Sequence, residues 1–419
     1  MAITSGGAFD KYEDFSRKNI VFGCQRWTGK EIDKALSKLS SAQIQKFWKA
    51  LNKSSRHPGE LLAISGDSEG ISAQGASAEA TRINLVCGVN SKTGQVLYSE
   101  TFEGSIPDVR AFEHNYKSLT NETVNPKRVL FIGDRDYKSG DNLELAMRMG
   151  TEFVMAVKSN ESLIKNDIDE IYLTVRRARN HISGTVNGMA LTTEQYSYKD
   201  EAMKLHRAPV FYHAFLDKSR AMAEQDRLNL LRELYLEHQA TPSNQRKPLN
   251  SDIYQEVKPF LSVINEHETF DEDKYDAAYS QSGLFFLCTS SNCESKQVYE
   301  YYQDRNTVEV FFDHLKNGVD ARRLANQENA YQGFLFLATL AAGVHMFLAR
   351  KFNQTPGYTS SVSKVFSSLA KLEVTTLNGV QTVSLPPTKT QELLNKIGLD
   401  LDKESKKLLN ITLPNQPID

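Results

Sequence analysis

The stretch "RVLFIGDRDYKSGDNLELAMRMGTEFVMAV", residues 128 to 157, changes character twice within one short segment. "RVLFIG" (128–133) and "EFVMAV" (152–157) are apolar runs of strand length. Between them, "GDNLELAMRMG" reads as a helix closed by Gly150. Strand, helix and strand in that order predict an α/β core.

Working outward, three more strand-like runs precede this stretch: "LLAISG" (61–66), "RINLVCGV" (82–89) and "QVLYSETF" (95–102), with a helix expected after Pro107. Three adjacent strands followed by alternating helices and strands predict a mixed sheet, a meander on one side and parallel strands on the other. Residues 28–52 read as a helical preface, with Thr28 and Glu31 at capping-box spacing. Residues 160 to 282 break the rhythm with the charged run "DEIYLTVRRARNH", the strand-like "APVFYHAFL" and a long polar helix, "DKSRAMAEQDRLNLLRELYLEH". This block is expected to be an insertion, not a continuation of the sheet. "GLFFLC" (283–288) returns to core character, and "TTLNGVQTVSL" and "TKTQELLNKIG" read as a hairpin and a capped helix ending at Gly398.

With 419 residues, 40% apolar content and a formal net charge of -2, the chain has the composition of a globular protein with a substantial core. That balance gives no global attraction to nucleic acid, so polyanion binding must rest on local clusters. Cys24, Cys87, Cys288 and Cys293 are too few for a disulfide framework and lack zinc-site spacing, so a reducing compartment and no zinc are expected. The opening "MAITSGGAFDKYEDF" has no export pattern, and a cytoplasmic location is expected. "GFLFLATLAAGVHMFLA" (333–349) is uncharged but short for a membrane span, and is read as a buried core helix with no membrane partner.

The chemistry concentrates in "YYQDRNTVEVFFDHLK", residues 301 to 316. Read as one helix, it places Tyr302, Arg305, Glu309 and Lys316 on one stripe beside Val308, Phe311, Phe312 and Leu315. Arg305 with Glu309 is by itself an ordinary i,i+4 pair. Asp67 and Asp134, however, are each the first carboxylate after an expected core strand, where open α/β sheets place ligand groups. Convergence of Asp67, Asp134 and Glu309 would require divalent cations to offset like-charge repulsion. Such a carboxylate set is compatible with Mg²⁺ and phosphoryl transfer.

These residues resemble the DDE-type insertion-sequence transposases defined by a Y-(2)-R-(3)-E-(6)-K signature. Here Tyr302, Arg305, Glu309 and Lys316 stand at every required interval. "LLAISGDSEGIS" is similar to that family's first-aspartate strand, "VLFIGDRDYKSGDNLELAMRMGTEFVMAVK" to its second-aspartate region, and "GVNSKTGQVLYSETFEGSIPDV" to the intervening hairpin. Two departures are visible: Ser68 is followed by Glu69, and Asp134 by Arg135, Asp136 and Tyr137, which leaves Asp136 as an alternative second aspartate.

The resemblance implies a ribonuclease-H-like mixed sheet flanked by helices, with a large insertion before the last catalytic helix. It divides the chain into a helical segment (1–58), core (59–160), insertion (161–282), core with catalytic and buried helices (283–352) and hairpin-helix tail (353–419). It implies that Asp67, Asp134 and Glu309 are catalytic ligands of two Mg²⁺ or Mn²⁺ ions, and that Tyr302, Arg305 and Lys316 contact DNA phosphates. The implied function is metal-dependent cleavage and strand transfer of element ends, with terminal inverted repeats and target DNA as partners and a dimer in the synaptic complex. An inactive DNA-binding remnant and a nuclease without strand transfer are the alternatives. Further basic clusters are Arg176, Arg177 and Arg179; Lys204, His206 and Arg207; and Arg322 with Arg323.

Overall fold

The computed structural model describes residues 27–54, 61–72, 82–103, 128–135, 137–200, 202–242, 245–264, 267–318, 331–356, 361–369, 374–377, 380–383 and 387–398. The helix expected after Pro107 lies outside them, as does Cys24. The chain forms two compact units, Met1–Ile132 with Asp304–Asp419, and Gly133–Gln303.

The first unit opens with helices α1 (Gly29–Leu36) and α2 (Ser41–Ser54), followed by strands β1 (Leu61–Ser72), β2 (Arg82–Asn90), β3 (Val96–Glu103) and β4 (Arg128–Gly133). The expected single preface helix is two. The Thr28–Glu31 capping box starts α1, and a second reciprocal pair, Ser40 with Gln43, starts α2, so the chain turns between them. The strands run in the order β3-β2-β1-β4, antiparallel within the meander and parallel between β1 and β4. A mixed sheet of this order, flanked by helices, is the expected ribonuclease-H-like arrangement.

The second unit contains α3 (Gly140–Arg148), β5 (Glu152–Val157), α4 (Ser162–Lys165), α5 (Ile168–Val175), β6 (His181–Ser183), β7 (Val186–Lys199), β8 (Leu205–Asp217), α6 (Lys218–Ala240), α7 (Ser251–Val257), β9 (Leu261–Ile264), β10 (His267–Phe270), α8 (Glu272–Ser280), β11 (Leu284–Thr289) and α9 (Ser295–Gln303). Ser139 caps α3, and Gly150 follows it at φ +68, the left-handed conformation that glycine adopts without strain. The block read as separate from the sheet joins one. The β7–β8 hairpin pairs with β11, which pairs with β5, giving the order β5-β11-β8-β7-β6. Its inner half is apolar and buried, "YHAFL" of β8 above all, so the hairpin satisfies its backbone there.

The chain then re-enters the first unit with α10 (Asn306–Asp313), α11 (Tyr331–Asn353), α12 (Val362–Leu369), the hairpin β12 (Val374–Leu377) with β13 (Val380–Val383), and α13 (Thr388–Lys396), followed by Gly398 at φ +87. Helix α11 is long and apolar enough to cross a membrane, yet Phe334, Leu335, Ala338, Ala341, Ala342 and Met346 are buried in a core shared with Trp48, Leu85, Val89 and Phe311. Gly333 permits this packing: a Cβ there would stand 2.5 Å from the Leu36 carbonyl oxygen. The Trp48 indole N–H donates to Ser99 Oγ at 3.1 Å, and Asn52 Nδ2 donates to the Leu97 carbonyl at 2.6 Å, fastening α2 to β3.

Candidate active site

Asp67 lies inside β1, opposite Cys87 of β2, and not after the strand's end as expected from the apolar run. The strand continues because β2 remains its partner as far as the Ser72–Arg82 pair, although the parallel ladder to β4 stops at Ser65–Ile132. The Asp67 side chain lies outside the described residues. Asp134 follows β4 directly and is half-buried. Its Oδ1 accepts the Arg135 N–H at 2.6 Å and its carbonyl accepts the Tyr137 N–H at 3.1 Å, which turns the chain into α3. Ser65 and Ile132 stand opposite each other, and each aspartate is the second residue beyond its member of that pair. Asp136 lies outside the described residues.

The stretch expected to be one helix is three segments. α9 ends at Gln303, α10 begins at Asn306, and a π-turn, His314–Gly318, follows. At the break, the Thr307 and Val308 N–H groups bond to the carbonyls of Asp304 and Arg305, three residues back, so the α-helical repeat is interrupted. A single stripe at 100° per residue therefore does not describe Tyr302 through Lys316. Tyr302 belongs to the second unit, where its ring stacks 6.4 Å from Phe285. Arg305, Glu309 and Lys316 belong to the first.

Within the first unit, α10 packs on β1 and β2. It also packs on α11, buries Thr307, Val308, Phe311 and Phe312, and leaves Glu309 outward, 48% exposed. Arg305 Nη2 stands 2.9 Å from Glu309 Oε1 and is 18% exposed. The ion pair forms because the guanidinium is one turn from the carboxylate on the same face. Lys316 is half-buried in the π-turn, next to the fully buried Leu315. His314 of that turn lies 4.5 Å from His345 of α11, ring to ring, and burial lowers the pKa of both.

Nothing in the local spacing singles out three residues that hold α10 in place. Thr307 Oγ1 donates to the Ser91 carbonyl at 2.6 Å, and Arg350 Nη2 donates to Thr307 Oγ1 at 2.6 Å. Thr307 stands in the variable gap of the signature, Ser91 in a turn, and Arg350 reads as an ordinary helix-end cation.

Of the basic clusters, Arg176 stacks over Tyr172 at 5.6 Å, and His206 is bonded to Asp200 at 2.7 Å, while Lys204 and Arg207 are exposed. The His206 hydrogen bond, then the Lys204 N–H, lowers the Asp200 pKa. Arg322 and Arg323 lie outside the described residues.

Among the described residues, which do not include the Asp67 side chain, no group of three or more His, Cys, Asp or Glu side chains is arranged to hold a metal ion. The donor chemistry of Asp67, Asp134 and Glu309 is all carboxylate oxygen, which fits hard cations such as Mg²⁺ or Mn²⁺.

Comparison with curated protein sequences gives no match. Among solved structures, the chain is similar to the piggyBac transposase of a cryo-EM synaptic complex with hairpin DNA, at 12% identity and a TM-score of 0.40, covering 100% of this chain and 75% of the other. The family model described as "Transposase DDE domain" matches residues 56–342. That match takes in β1, β4 and α10, and the chain belongs to the DDE-domain transposases.

Proposed function

We propose that this chain is a transposase of the insertion-sequence group with the Y-(2)-R-(3)-E-(6)-K signature, cleaving DNA at element ends and joining the released 3′-hydroxyls to target DNA. One observation carries the reading. Asp67 and Asp134 each follow the Ser65–Ile132 pair of parallel strands by two residues, and the Glu309 helix packs against the first of those strands.

Asp67, Asp134 and Glu309 would hold Mg²⁺ or Mn²⁺, two ions in the working complex. When bound, such ions activate an attacking oxygen and stabilise a leaving one. The protein's own groups do the positioning. Arg305, planar and five-donor, exchanges its Glu309 partner for a DNA phosphate and forks onto it. Lys316 supplies a point charge further along, and the Tyr302 hydroxyl donates to a phosphate oxygen. The substrates are the terminal inverted repeats and target DNA, bound by a synapsed dimer at the cytoplasmic nucleoid. The segments 1–58, 59–160, 161–282, 283–352 and 353–419 act as helical preface, split core, insertion, returning core and tail.

The test is nicking and joining of duplexes made from the DNA flanking the gene, in Mn²⁺ or Mg²⁺. Strand-transfer products abolished by Glu309→Gln support the reading. Cleavage without joining identifies a nuclease, and tight binding without nicking identifies a DNA-binding remnant. Either result overturns the proposal.

A further inference from the structure

Helix α10 lies on the sheet through Val308, Phe311 and Phe312, and apolar contact of this kind sets its height but not its rotation or its advance along β1. Direction comes from a hydrogen-bonded knot at its first turn. Thr307, 6% exposed, donates to the Ser91 carbonyl at 2.6 Å. Arg350 reaches the same point from α11. Its Nη2 donates to Thr307 Oγ1 at 2.6 Å and to the Ser91 carbonyl at 3.3 Å, and its Nη1 donates to the Lys92 carbonyl.

Ser91 carries the connection onward. Its N–H and its hydroxyl both donate to the Ala63 carbonyl, at 3.0 and 3.1 Å, in the strand that carries Asp67 four residues later. The turn is shaped to the guanidinium. Gly94 holds φ +76, and a Cβ there would stand 3.2 Å from Arg350 Nε and 3.1 Å from Met346 Cε. One planar fork thus ties β1, the turn after β2, α10 and α11 together, which a lysine's single ammonium on a flexible stem does not reproduce.

We propose that Arg350, acting through Thr307, is a positioning residue that sets the bearing of Glu309 relative to β1. The proposal rests on the reading of Glu309 as a metal ligand. It assigns Arg350 no contact with DNA or with the reacting atoms.

The test uses the full chain, with Mn²⁺ binding followed by electron paramagnetic resonance in the absence of DNA, and nicking of duplexes from the gene's flanking DNA. Thr307→Val keeps the side chain's volume and removes the hydroxyl; Arg350→Lys keeps the charge and removes the fork. Each is expected to weaken Mn²⁺ binding and lower kcat by about tenfold or more, the range for loss of a group that orients a metal ligand. KM for DNA is expected to stay within about twofold, because no substrate contact is removed. Thr307→Ser, which keeps the hydroxyl, is expected to restore both quantities.

Wild-type Mn²⁺ affinity and kcat in a folded Thr307→Val variant overturn the proposal, as does a Thr307→Ser variant as impaired as the valine. Thr307→Val carries the decision alone if Arg350→Lys does not fold. Glu309→Gln separates the two levels of inference. Undiminished Mn²⁺ binding and nicking in that variant overturn the metal-ligand reading and the proposal with it, whereas loss in Glu309→Gln beside a wild-type Thr307→Val overturns the positioning role alone.

Discussion

In the second unit, Arg227 of α6 forks onto Glu256 of α7, with Nε to Oε2 at 2.9 Å and Nη2 to Oε1 at 2.5 Å, and Arg232 grips Glu272 of α8 at 3.0 and 2.6 Å. In the first unit, Arg305 meets Glu309 one turn along the same short stretch of chain. The first kind of pair joins elements far apart in sequence and is bidentate, so it serves architecture. The second joins neighbours that the backbone already holds together, so exchanging partners costs the fold little. The same two residue types therefore make a clamp in one place and an exchangeable pair in the other.

Glu309→Gln is expected to separate the two kinds of pair most strongly. Nicking of flanking-DNA duplexes is expected to fall by more than about a hundredfold while the thermal midpoint stays close to wild type, since the proposed metal ligand is lost and no core contact changes. Activity retained in this variant would return Glu309 to the status of a surface charge.

Next in size is Gly333→Ala, whose methyl group would stand 2.5 Å from the Leu36 carbonyl oxygen and 2.9 Å from Leu36 Cβ. A loss of about 1–3 kcal/mol in denaturant unfolding is expected from overpacking. Hydrogen exchange should report it in α1 and α11 and leave the β7–β8 hairpin protected; uniform loss across both units would contradict their separate cores.

Where the second unit buries an ionisable ring, it keeps it neutral. Burial of His213 in β8 pushes its pKa down from 6.5 to about 4, and its Nδ1 is bonded to Ser295 Oγ at 2.9 Å. The unfolded chain thus takes up a proton near pH 6.5 that the folded chain refuses until about 4. The stabilisation is fully present above pH 6.5 and is lost as pH falls through that window. Urea unfolding from pH 7 to 4 should show a smaller acid loss in His213→Gln than in the parent; equal losses would place the titration elsewhere.

The smallest effects separate the two kinds of arginine directly. Arg305→Ala is expected to weaken binding to all duplexes alike and to lower the salt slope by about one, as loss of one phosphate contact does. Arg227→Ala is expected to leave that slope unchanged and to lower the thermal midpoint slightly, an effect that high salt should erase. A change of slope in both variants would place the second unit's clamps on DNA as well.

Much of the framework was legible from short-range pattern. The runs ending in Asp67 and Asp134, the Thr28–Glu31 box and the Ser139-to-Gly150 helix all follow from local periodicity and capping chemistry. The continuation of β1 past Asp67 did not, because it depends on how far β2 runs beside it. The break at Asp304–Arg305 is equally hidden, since neither residue is a helix breaker and the apolar spacing on both sides is helical. Strand β8 was recognisable in "APVFYHAFL", but its partner β7 was not, and membership of a sheet is settled by β11, some seventy residues further on. As for the candidate site, the glutamate and arginine were legible as a motif, whereas the Thr307–Arg350 bond unites residues 43 positions apart, a separation that no local pattern encodes.

The parallel pairing of β1 with β4 also says which accidents of replication the gene could survive. Ser65-Gly66-Asp67 and Ile132-Gly133-Asp134 each count two steps from the shared pair to the carboxylate. Codons gained or lost between Glu103 and Arg128 leave both counts unchanged, but the deletion of either glycine codon would move one aspartate back by a residue, and Asp67, inside β1, would turn to the opposite side of its strand.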